Sequence, residues 1–170
     1  MKPNLKELAV FSVLGCVMFA SKIAMDALPN MHLLGVLIVA FTLTFRAKAL
    51  YPIYVYVFLL GAIYGFSPWW IPNLYVWTVL WAWVMLLPKK LPKPILMVLA
   101  IVLCGLHGFL FGVLYAPAQA LLFGLNFDGM IAWIVAGFPF DLIHGVSNLL
   151  LGGVIPPLVR AMTAGKKYLT

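Results

Sequence analysis

The chain has 170 residues, 65% of them hydrophobic and 9% charged, and a formal net charge of +7. With a mean hydropathy of +1.11, it carries more apolar surface than a soluble domain of this size can hide, because a small globule leaves much of its chain exposed. A bilayer is the solvent that fits this composition, and the basic residues, bunched between apolar runs, read as topology signals and not as a nucleic-acid surface.

Six apolar spans follow in chain order. The first, about residues 5–28, begins after Lys2 and Lys6 and ends at "LPN". A cleavable signal peptide has a similar charged start, but this run continues and further spans follow, so it reads as a membrane helix. The second, about 31–45, ends at "RAK", and the third covers about 49–66. The fourth, about 71–87, is closed by "PKKLPKP". The fifth covers about 95–123 and the sixth about 130–162, followed by "GKK". A membrane span needs about 20 residues at about 1.5 Å each. The second is short by that measure, and the fifth and sixth are long. Pro117 and Pro139 lie inside the two long spans and predict a kink or division at each.

The charges fall on alternate connections. Lys2 and Lys6 precede the first span, and Arg46 and Lys48 lie between the second and third. Lys89, Lys90 and Lys93 separate the fourth and fifth, and Arg160, Lys166 and Lys167 close the sixth. Six spans therefore place ten of the eleven basic residues on one side, which the positive-inside rule makes the cytoplasm. The expectation is an all-α integral membrane protein. Residues 1–170 form a single domain of six transmembrane helices with both termini cytoplasmic.

Several features within the spans are candidates for function. In the first, Ser12, Cys16, Ala20 and Ala24 recur every four residues and share a helix face, which lets another helix approach closely. That groove either packs internally or faces a partner. The fifth repeats the pattern with Cys104, Gly108, Gly112, Ala116, Ala120 and Gly124, where internal packing is the preferred reading. Lys22 and Asp26, four apart, form either a self-satisfied pair or one wall of a ligand site. Asp141, His144 and Asn148 share a face of the sixth span, with His107 of the fifth at similar depth. An Asp–His pair can relay protons or act as a general base. No nucleophile stands at a diagnostic spacing, so bundle-stabilising hydrogen bonds are the preferred role. Cys16 and Cys104 fall in apolar runs without metal-ligand spacing, so neither a disulfide, a metal nor a cofactor is expected.

The stretch "SPWWIPNLYVWTVLWAW", residues 67–83, holds five of the six tryptophans. An interfacial belt explains two or three of them, since aromatic rings with a polar edge gather there. Here they continue inward, and Asn73, Trp77 and Trp81 share one face. An aromatic face ending in an amide reads as a ligand platform as well as a belt.

The combined layout resembles the substrate-binding S components of energy-coupling factor (ECF) vitamin transporters. The likeness covers the whole chain and rests on "ASKIA" in the first span, the short second span before "FRAKALYP", "PNLYVW" and "FPFDLIHGVSN". It implies capture of a vitamin outside the cell, in a pocket formed by the outer loops and the outer ends of the last three spans. It also implies docking through the first helix onto a transmembrane coupling protein, with two ATPase subunits driving uptake across the bacterial plasma membrane. Ala20 and Ala24 match the docking motif, and Met31, His32, Trp69, Trp70, Asn73, Tyr75 and Trp77 map to the pocket. The resemblance is closest to the cobalamin-type members. A wide, aromatic, weakly charged mouth suits cobalamin or riboflavin, and Asp26 leaves thiamine open. Two other classes stand beside this one. An intramembrane enzyme would be built on Asp141, His144 and His107. A channel or secondary carrier usually shows an internal repeat, and none is found.

Overall fold

The computed structural model describes residues 3–88 and 90–168, and among these it contains eight α-helices, three short 3-10 turns and no strand. Lys2 and Lys89, two of the basic residues counted above, lie outside the described residues. Helix α1 (Leu5–Ala24) opens with a capping box, in which Asn4 and Glu7 satisfy each other's backbone N–H groups. Helix α2 (Leu34–Phe45) is apolar on all sides, and every residue except Leu43 is buried. A helix without a polar face belongs in the centre of a bundle, and α2 is packed by α1, α4, α5, α7 and α8. Its two buried threonines satisfy their hydroxyls internally, on the Ile38 and Ala40 carbonyls.

The chain reverses at Arg46, whose φ of 56° lies in the left-handed region. The Trp81 indole N–H donates to the Arg46 carbonyl, and the Arg46 guanidinium donates to the Met85 carbonyl at 3.1 Å. A 3-10 turn (Arg46–Ala49) leads into α3 (Leu50–Tyr64). Helix α3 runs parallel to α1, since Lys48 pairs with Glu7 at one end (2.7 Å) and the Tyr64 hydroxyl donates to Asp26 at the other (3.2 Å). After the turn Pro68–Trp70, α4 (Asn73–Leu86) returns antiparallel to α3, since Arg46, just before α3, reaches the Met85 carbonyl at the end of α4.

Helices α5 (Lys93–Phe109) and α6 (Phe111–Phe123) rise together, and α7 (Phe127–Leu151) descends beside them before α8 (Ile155–Lys166). The α5–α7 contact is close because it is made by glycine. A Cβ on Gly108 would stand 2.8 Å from the Gly145 backbone. The Asn148 amide donates to the Cys104 carbonyl across the same contact. The small residues of α5 and the start of α6 thus face inward, in keeping with internal packing. Ser12, Cys16, Ala20 and Ala24 of α1 are all exposed, while Phe11, Gly15 and Met18 turn into the core.

The long spans divide, but not at their prolines. The breaks fall at Leu110 and at the turn Gly152–Val154, whereas Pro117 sits inside α6 and Pro139 inside α7. Both prolines are exposed, so their rings displace no packed neighbour. At the first break the N–H of Gly112 bonds to the Asp141 carboxylate at 2.9 Å, and not to a carbonyl of the preceding turn. A buried side chain on α7 therefore starts α6 afresh.

Among the described residues four stretches are long and apolar enough to cross a membrane: Leu5–Ala24, Leu34–Tyr64, Lys93–Phe123 and Phe127–Lys166. Arg46 and Lys48 gather at one end of the bundle, where the Lys166 ammonium also reaches the Thr44 carbonyl at 3.1 Å. This end is called the basic end below, and the end holding Asp26 and Tyr64 the far end.

Candidate functional site

The central helix is short, and its shortness makes a site. At about 1.5 Å per residue, 12 residues span roughly 18 Å. The N-terminus of α2 therefore stops well below the far end. Above it lies a cavity of about 460 Å³, open to the far end and walled by α1, α3, α4 and α6. Leu34 lies at its floor, and no side chain caps the first turn of α2.

Helix α4 supplies the tryptophan wall. Trp77 is 2% exposed, and its indole N–H donates to the Asn73 side-chain oxygen at 3.0 Å. The Asn73 amide nitrogen donates to the Trp69 carbonyl at 3.3 Å. Asn73 thus fixes the two tryptophans relative to each other while lining the cavity itself. The Tyr115 hydroxyl also donates to the Trp69 carbonyl, which ties α6 to this wall. Phe111 stands 5.4 Å from Trp77, centroid to centroid.

His32, on the connection before α2, closes the base. Its ring lies 6.0 Å from Trp77 and 4.6 Å from His144, and its Nδ1 is buried without a hydrogen-bond partner. His144 also packs 5.0 Å from Phe111, and its Nε2 is likewise unpartnered. His107 bonds through Nε2 to the Val76 carbonyl at 3.0 Å and lies 5.7 Å from Trp77. All three histidines of the sequence thus gather around Trp77 and Phe111. Among the described residues no group of His, Cys, Asp and Glu is arranged to hold a metal ion.

Lys22 and Asp26 satisfy each other's charge, as their spacing allows. They form an ion pair, and Lys22 also lines the cavity, 5.0 Å over the Tyr64 ring.

Of the residues expected at the pocket, His32, Trp69, Asn73 and Trp77 line the cavity; Met31, Trp70 and Tyr75 do not. Met31 is half-buried in the connection before α2. Trp70 donates to the Val57 carbonyl at 2.8 Å and packs on Phe66, pinning the Pro68–Trp70 turn to α3. Tyr75 donates to the Leu114 carbonyl at 2.7 Å, a strut between α4 and α6. The sequence reading missed Tyr56, Leu60 and Tyr64 of α3, and Phe111 and Tyr115 of α6. Each set recurs every four residues, a spacing that marks one helix face.

The polar residues of α7 serve the bundle. Asp141 bonds to the Gly112 N–H, and Asn148 to the Cys104 carbonyl. No hydrogen bond joins Asp141 to His144 among the described residues, since His144 turns toward His32 and Phe111.

No family model, curated protein or solved structure matches this chain.

Proposed function

We propose that the chain is the substrate-binding S component of an ECF-type vitamin transporter, with six spans and both termini in the cytoplasm. One observation carries this reading. The bundle holds an aromatic cavity at the end opposite its basic cluster, so in a bilayer obeying the positive-inside rule the cavity opens outward. A weakly charged site walled by Trp69, Trp77, Phe111 and Tyr115 and offering a few polar atoms suits a flat, heteroaromatic ligand. The alternation of α1 to α4, with α1 parallel to α3, supports the six-span topology. The exposed stripe Ser12, Cys16, Ala20 and Ala24 supports docking of α1 on a coupling protein, whose two ATPase partners would supply the energy.

Cavity size ranks the ligands. About 460 Å³ falls within the usual range for small-molecule pockets. Riboflavin and thiamine suit that volume, while cobalamin, which is much bulkier, would enter only if the mouth widened. The protein should copurify with, or take up, one of these vitamins in detergent. An absorbance spectrum of the purified protein identifies a flavin or a corrinoid, and saturable calorimetric binding identifies thiamine. A protein that is colourless and binds none of the three contradicts the proposal.

A further inference from the structure

A second and larger concavity, about 1100 Å³, lies at the basic end, away from the aromatic cavity. Its long wall is the outer face of α3, where Tyr51, Tyr54 and Phe58 are exposed and Val55 and Leu59 half-buried. Its lower end is polar and positive, formed by Arg46, Lys48 and Lys166 with one carboxylate, Glu7. Three cations against one anion leave this end with a net positive charge.

The cations also keep donors to spare. The structure gives Arg46 one guanidinium hydrogen bond, to the Met85 carbonyl, and Lys166 one, to the Thr44 carbonyl. A guanidinium has five N–H donors and an ammonium three. An apolar groove ending in under-used cations is complementary to an amphiphile with an acyl chain and an anionic head. Basic pockets between helices on the cytoplasmic side of a membrane bind such headgroups.

We propose that this groove is a site for an anionic glycerophospholipid, its phosphate at Arg46, Lys48 and Lys166 and an acyl chain along Tyr54 and Phe58. The proposal requires that the chain sit in a bilayer with its basic end at a headgroup layer, and it is independent of the vitamin reading.

Native mass spectrometry of the delipidated protein tests it, with phosphatidylglycerol and phosphatidylcholine offered in equal amounts. Each basic residue near an anionic head changes binding by about fivefold, so wild type should prefer phosphatidylglycerol by about tenfold or more. Lys166→Gln, which leaves the Lys48–Glu7 pair intact, should cut that preference about fivefold. Phe58→Asp, on an exposed position, should weaken both lipids by placing a charge where the chain lies. Equal retention of the two lipids by wild type overturns the proposal. So does a preference unchanged in both variants, or a groove that takes up a partner's helix and no lipid.

Discussion

At the scale of single residues, adjacent tryptophans have different tasks. Trp77 is a wall of the cavity and Trp70 is a pin between a turn and α3. Truncating a buried aromatic at a binding hot spot costs about 2 kcal/mol or more. Trp77→Ala should therefore weaken vitamin binding by roughly thirtyfold or more in calorimetric titration. Trp70→Ala should leave the affinity unchanged and lower the thermal unfolding midpoint, since it loses its hydrogen bond and its packing on Phe66. Asn73→Ala removes the link between Trp69 and Trp77, costing about 1–3 kcal/mol of stability if the indole N–H is left unsatisfied, and it should weaken binding through the displaced rings. That the aromatic run walls a cavity was legible because its rings continue past the interface. The opposite wall was not. Tyr56, Leu60 and Tyr64 have the right spacing, but that spacing also describes an ordinary lipid-facing stripe. Only the place where α2 stops, a matter of long-range packing, turns the stripe toward a cavity.

At the scale of elements, two helices carry small residues at the same four-residue interval with opposite outcomes. In α5 the stripe meets the glycine of α7, and in α1 it is left outside because Phe11, Gly15 and Met18 fill the core-facing side. Sequence spacing defines a face but not its neighbour, so it favoured internal packing for the stripe of α5 and left that of α1 open. They separate by substitution. Gly108→Val overpacks a backbone contact and should destabilise the bundle by about 1–3 kcal/mol, read as a lower unfolding midpoint. Ala20→Trp and Ala24→Trp should leave folding and vitamin binding intact while abolishing energised uptake, because close approach of a partner helix is blocked. Normal uptake in both would remove α1 as the docking face. The spans divide away from their prolines for a related reason. Proline signals a break from within the helix, whereas the break at Leu110 is set by Asp141, which is 29 residues from the Gly112 N–H it accepts. The short helix α2 was legible from the length of its apolar run and the charges that end it, and the end of α4 from the basic segment that follows it.

At the scale of the whole molecule, the sequence pattern and the packing bear on one axis. Basic residues collect at one end and the aromatic cavity opens at the other, so the proposed function requires one orientation in the membrane. A cysteine introduced at Lys90, in a protein otherwise without thiols, should resist an impermeant reagent applied from outside intact cells. Rapid labelling there would reverse the orientation and place the cavity on the cytoplasmic side. The central claim is that this cavity holds a vitamin, and titration calorimetry tests it most directly. Riboflavin, thiamine and cobalamin are each titrated into purified wild-type protein and into Trp77→Ala. The account predicts saturable binding of one vitamin to wild type and a loss of about thirtyfold or more in the variant. Wild type that binds none of them, or binds one with an affinity the variant shares, would contradict it.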